Sequence, residues 1–160
     1  MKMKTTGIVL SAVTAIVLSS CNHAKTKDME HVKAIFPEGE KISNNNFKGT
    51  AYLRMLMTNA ETFDCTIGNV AFEAGCRNSW HSHPGGQILI VTSGEGYYQE
   101  KGKQVQVIKT GDVIEILPNV VHWHGATPHS RMEHIAIGTK ASAGAVVWYE
   151  PVTDEEYNNL

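Results

Sequence analysis

From Thr50 onward, apolar and polar residues alternate over short runs that are cut by glycine, asparagine, aspartate and proline. Alternation with a period of two marks strands that have one packed face and one wet face. The runs 50–57, 66–73, 87–92, 96–100, 105–109, 112–117, 121–124, 132–137 and 145–149 read this way. No stretch carries a convincing helical period. The pattern predicts an all-β barrel or sandwich. Glu100-Lys101-Gly102-Lys103 predicts a hairpin turn between two of the strands. The run from Gln87 to Val91 differs from the rest. If Gln87, Leu89 and Val91 point inward, Ile88 and Ile90 point outward. Apolar side chains outside a barrel predict burial against another subunit, so a homodimer is expected; a covering N-terminal strand of the same chain would give the same pattern.

The first residues follow a different rule. Lys2 and Lys4 precede an apolar run over residues 7–18, and Leu18-Ser19-Ser20-Cys21 ends it. That is the layout of a secretory signal with small residues before the cut. A membrane-spanning helix needs about 20 apolar residues, and this run is shorter and broken by Ser11 and Thr14. The segment resembles a bacterial lipoprotein signal, which implies that Cys21 becomes the lipid-modified first residue of the mature chain. We therefore expect residues 1–20 to be a signal peptide, 21–34 a polar tether and 35–160 one domain. The expected location is the cell envelope, facing the periplasm or the cell surface, with membrane contact through the anchor alone. Asn22 follows the cysteine, and no aspartate retention signal is present. Ile35 and Phe36 interrupt the polar stretch and are expected to dock on the barrel or on a second subunit.

Composition narrows the partners. Sixteen acidic against 14 basic side chains give a formal charge of -2, and hydrophobic residues make up 42%. Such a balance offers no electrostatic footprint for nucleic acid. An envelope location permits a bridge between Cys65 and Cys76; the alternative, two separate small buried residues, is the expectation here.

The candidate chemistry lies in the histidines. In an extended strand, residues two apart project the same way, so His81 and His83 can reach one ion. Pro84-Gly85-Gly86 turns the chain and brings the Gln87 amide near the same point. His122 supplies a further donor at the end of the run 111–122. We read His81, His83, Gln87 and His122 as ligands of one divalent transition metal: manganese, iron, nickel, cobalt or zinc. Gln87 could instead hydrogen-bond a ligand histidine, a role that leaves the ion one donor short.

These residues resemble the motifs of the cupin superfamily. Gly75, His81, His83, Gln87 and Gly94 fit the first motif, and Gly111, Pro118 and His122 fit the second, with one extra residue before the proline. The resemblance implies a jelly-roll β-barrel with a metal site inside, although glutamate is the commoner fourth ligand. A narrower resemblance spans Phe36 to Tyr157 through Trp80-His81-Ser82-His83-Pro84, His122-Trp123-His124-Gly125-Ala126 and Pro151-Val152-Thr153-Asp154-Glu155-Glu156-Tyr157. It is to single-domain cupins related to quercetin dioxygenase or carboxymuconolactone decarboxylase, a group that includes metal-dependent bacterial hydroxynitrile lyases.

Other polar residues take places around the predicted site. His124 shares the inward face with His122, while Trp123 between them faces the packing side. Met132, His134 and Ala136 share one face of the next strand, so His134 is expected inside the barrel as a neutral imidazole able to move a proton. His124 and His134 are the candidate catalytic residues; for His134 the alternative is a core histidine bonded to backbone. Arg77 and Asn78 are expected to line the mouth, and Asp112 to sit in a turn. His23, His31 and His129 are expected to be solvated.

A glutamine in place of a carboxylate leaves the full charge of a divalent ion uncompensated by protein. The ion then becomes a stronger Lewis acid and favours anionic ligands such as cyanide, enolate or carboxylate. The leading expectation is an enzyme acting on a small oxygen-bearing organic molecule by lyase, isomerase or decarboxylase chemistry. Two alternatives stand beside it: an iron-dependent dioxygenase, and a surface protein that binds a small molecule without turnover.

Overall fold

The computed structural model of the protein describes residues 34–57 and 59–159. Cys21, His23, His31 and the expected signal peptide lie outside the described residues. The elements in chain order are β1 (Glu40–Lys41), β2 (Phe47–Lys48), β3 (Ala51–Met55), α1 (Ala60–Phe63), β4 (Cys65–Phe72), β5 (Arg77–Asn78), β6 (His81–Ser82), β7 (Gln87–Glu100), β8 (Gln106–Lys109), β9 (Val113–Ile116), β10 (His122–Ala126), β11 (Met132–Thr139), a 3-10 turn (Ala141–Ala143), β12 (Val147–Trp148) and α2 (Asp154–Asn158).

The strands pair antiparallel in the order β1-β3-β4-β11-β7-β10-β5-β2, with β8 and β9 also on β7, β6 on β10 and β12 on β6. One long strand joins the two halves of this curled sheet. Residues 87–94 of β7 pair with β11, and its remainder, 96–100, pairs with β10. The sequence pattern predicted separate strands at 87–92 and 96–100, and the structure corrects this to a continuous strand. The glycines account for the misreading. Gly94 has φ +76°, and a β-carbon there would collide with the Arg131 carbonyl oxygen. The glycine thus allows a close crossing within the strand instead of ending it.

Period-two burial follows along β7. Gln87, Leu89 and Val91 are buried, while Ile88 and Ile90 are only partly so. Ile88 pairs with Ile137 and Ile90 with Ile135 across β11, and Ile137 in turn pairs with Ile67 on β4. The outward face is therefore an isoleucine patch, as the alternation predicted. A register shift between Glu133 and His134 leaves Thr92 as the extra residue on β7, and from there inward His134 lies opposite Val70 and Val91. Leu89, Val91, Phe72, Met132, Tyr98 and Ile108 form the centre of the core between the sheets.

A second, smaller core closes one end. Trp80, Trp123, Val152 and Tyr157 pack together, with Trp123 fully buried as expected. Arg77 belongs here and not at the mouth. Its side chain is 4% exposed, its guanidinium lies 4.3 Å from the Tyr157 ring, and it donates to the Val152 carbonyl and to Asp154. The alternation predicts no helix at this point, yet α2 follows Thr153, whose hydroxyl accepts from Glu156 N–H while Glu156 accepts from Thr153 N–H. That reciprocal capping pair organises a helix too short to carry a helical period.

One smaller expectation also changes. Ile35 is 65% exposed and does not dock on the barrel; Phe36 is half-buried. Cys65 and Cys76 are free thiols, and burial pushes the Cys76 thiol up to about 12, so it is an inert packing group. Asp112 is the turn residue expected, accepting from Lys109 N–H at 2.8 Å. His129 is exposed.

Candidate metal centre

Short strands and one turn bring the predicted ligands together. β6 presents His81 opposite His122 on β10, and the turn after His83 closes with Gly86 N–H on the His83 carbonyl at 3.1 Å. Gly85 is required there, because any β-carbon would collide with the Thr139 carbonyl oxygen. The result is that one nitrogen of each of His81, His83 and His122 falls within 4.8 Å of the others.

The outer nitrogens fix which ring atom faces inward. His81 Nδ1 donates to the Ser79 carbonyl at 2.9 Å, and His122 Nδ1 donates to the Val120 carbonyl at 2.9 Å. A neutral imidazole carries a single N–H, so both Nε2 atoms present lone pairs to the cluster. His83 Nε2 is buried without a partner. Gln87 places Oε1 3.2 Å from His122 Nε2. With the His122 proton held at Nδ1, that contact sets acceptor against acceptor. Two donors about 2.1 Å from one ion lie roughly 3.0 to 3.4 Å apart, so a shared cation would resolve the contact. Three neutral imidazoles and an amide oxygen suit a divalent first-row metal, and on these observations the residues fit such an ion.

Burial works against the charged form of each imidazole here. His122 and His134 are each pushed down to about 4 by desolvation. His81 is held well below its ordinary value by burial and then by the neighbouring His122, and His124 by burial and then by His134. Loss of water's stabilisation of the cation is the main cause in each case.

Beside the cluster lies a cavity of about 120 Å³, which His81, His83, Gln87, His124 and His134 all line. The His124 ring lies 5.4 Å from that of His81 and 4.9 Å from that of His134. Asn78 secures it, accepting from His124 N–H at 2.9 Å and placing its amide nitrogen 3.1 Å from Nε2. His134 is fully buried, and neither of its ring nitrogens has a hydrogen-bond partner. The Ile135 backbone offsets part of the lowering that burial imposes on this ring.

Sequence reasoning missed the apolar wall. Phe47, Phe72 and Trp148 line the cavity; Phe72 lies 5.6 Å from the His134 ring, and Trp148 4.9 Å from His81. Phe72 shares the inward face with Val70, and Trp148 shares the alternation of the run 145–149 with Val146, so both carried a readable signal. Phe47 follows Asn44-Asn45-Asn46 and carried none.

Comparison with known proteins agrees with this geometry. Residues 68–138 match the Cupin domain family. The chain is 43% identical over 111 residues to an (R)-mandelonitrile lyase of Granulicella tundricola, covering 69% of this chain and 85% of that one. A cupin-like protein of Thermotoga maritima is 50% identical, with a TM-score of 0.76 over 79% of this chain and 96% of that chain. A predicted oxalate decarboxylase of the same organism shares the fold at 24% identity, with a TM-score of 0.56 over 69% of this chain and 91% of its own. With its jelly-roll strands closed over a histidine cluster on β6 and β10, the chain belongs to the cupin superfamily.

Proposed function

We propose that this cupin is a metal-dependent lyase that forms or cleaves a cyanohydrin-type bond at a hydroxyl-bearing carbon, with His81, His83, Gln87 and His122 holding the ion. The carrying observation is His134, whose unpartnered ring nitrogens sit in the cavity that the ligand cluster borders. Its resemblance to a mandelonitrile lyase supports the substrate class.

A bound divalent ion would supply Lewis-acid polarisation of the substrate oxygen. His134, kept neutral by burial, takes the hydroxyl proton at its unprotonated ring nitrogen. The carbon–carbon bond then breaks, its electron pair leaves with cyanide, and the carbonyl forms. Cyanide takes the proton back from His134. His124, held by Asn78, flanks this exchange and shapes the pocket. Phe72 and Trp148 keep water from the reacting carbon. The space of about 120 Å³ is smaller than the roughly 150 Å³ that holds benzene, so it favours a small substrate. The proposal extends to setting: a homodimer joined through the isoleucine face, anchored in the envelope by a lipid on Cys21.

The test combines metal analysis of protein purified without chelator with an assay of mandelonitrile cleavage under nitrogen. We expect a stoichiometric divalent ion, turnover without oxygen, and loss of turnover in His134→Ala with the ion retained. Turnover that requires oxygen would point to a dioxygenase. Tight binding of the nitrile without any product, unaffected by His134→Ala, would point to a binding protein.

A further inference from the structure

A second chamber of about 410 Å³ lies outside the imidazole cavity, lined by Gly85, Gly86, Gly138 and Thr139 among others. His83 and Val146 line both spaces. The two spaces therefore adjoin, with His83 and Val146 forming the wall between them.

Val146 is carried on a strap, residues 141–148, that is fastened at both ends. At the first end, Ala141 N–H donates to the Asp64 carbonyl at 3.0 Å and Ser142 N–H to the Asp64 carboxylate at 2.7 Å. Thr139, just before the strap, donates its hydroxyl to the Gly85 carbonyl at 2.7 Å. At the second end, Val147 pairs with Ser82 and Trp148 with His81. Ala145 and Val146 lie between the 3-10 turn and β12, outside both elements. A β-branched side chain has few χ1 choices, so a valine at midspan presents a fixed obstruction.

We propose that small molecules reach the histidine cluster from the outer chamber past Val146, and that the size of this side chain sets the largest substrate admitted. Val146 is on this view a specificity-determining residue, and the proposal rests on the imidazole cavity being the substrate site.

The experiment compares the wild type with Val146→Ala, Val146→Gly and Val146→Phe, all checked for native thermal melting. The first readout is the ratio of kcat/KM for a naphthyl cyanohydrin to that for a phenyl one. The second needs no turnover: association rates of imidazole and of benzimidazole, followed by the emission of Trp148, which lines the inner cavity. One methylene in a tight apolar pocket changes discrimination by about tenfold or more, so Val146→Ala and Val146→Gly should each raise both large-to-small ratios by at least about that factor, and Val146→Phe should lower them. Identical ratios in all variants would overturn the proposal, as would absence of azole binding to any of them. Azole rates that follow position 146 in a protein that cleaves no cyanohydrin would leave the gate standing and remove the lyase reading. Cyanohydrin cleavage whose size preference ignores position 146 would do the reverse.

Discussion

Gln87 turns its amide oxygen toward His122 Nε2 across 3.2 Å, while Nδ1 of the same ring is spent on the Val120 carbonyl. The contact has no proton to share, and a cation between the two atoms would supply what is missing. Gln87→Ala should therefore weaken divalent-ion binding by at least about tenfold, since even partners that only orient a ligand are worth about 10- to 100-fold. Gln87→Glu should tighten binding, because a carboxylate compensates part of the ion's charge. Competition against a chromophoric chelator measures both. Unchanged affinity in Gln87→Ala would place the amide beyond the ion's reach.

Ile90 faces outward between Ile135 on β11 and Val113 on β9, and Val113 is 56% exposed. An exposed apolar sheet face of this kind is where the proposed subunit contact would form. Ile90→Glu would bury a charge in the proposed subunit contact, and sedimentation should show the particle mass halved with the β-sheet signal intact. A wild-type protein that already sediments as a monomer would remove the dimer from the proposal.

The strands and the histidine cluster were legible for the same reason. A period of two identifies one inward face, and once 87, 89 and 91 point inward, ligands two apart in His81-Ser82-His83 need only a turn to meet them. What was not legible depends on contacts between distant stretches. Arg77 reads as a polar neighbour of the ligands, but its partners are Tyr157, Val152 and Asp154 at the other end of the chain. β5 and β6 are two-residue strands, too short to show alternation, and they exist because β10 pairs with both. Val146 reads as one more apolar residue until the two cavities are seen to meet at it.

Cys21 follows Leu18-Ser19-Ser20 at the end of the apolar run, where a lipoprotein signal would be cut. Full-length protein expressed in a bacterial host should partition with membranes and be released by detergent. Cys21→Ser should shift it to the soluble envelope fraction or leave the uncut precursor, either being visible by fractionation and mass. An unmodified Cys21 in protein that is already soluble would end this part of the proposal.

Acid should destabilise the metal-free protein through its buried imidazoles. His122 and His134 hold folded-state values of about 4 against an ordinary 6.5. As pH falls below 6.5 the unfolded chain takes up these protons first, and the folded chain does not follow until about pH 4. Stability from keeping these rings neutral is thus fully present above pH 6.5 and is lost progressively down to about pH 4. Each ring contributes a slope approaching 1.4 kcal/mol per pH unit, or on the order of 3 kcal/mol across the window. Urea unfolding at pH 7, 6 and 5 should show a falling midpoint at constant m-value. His134→Leu removes one titrating ring without exposing the pocket, so its midpoint should fall less steeply, by the share of one proton. A His134→Leu protein with the full wild-type slope would mean that His134 is charged or hydrated in the folded state, and the neutral base on which the proposed proton transfer depends would be lost.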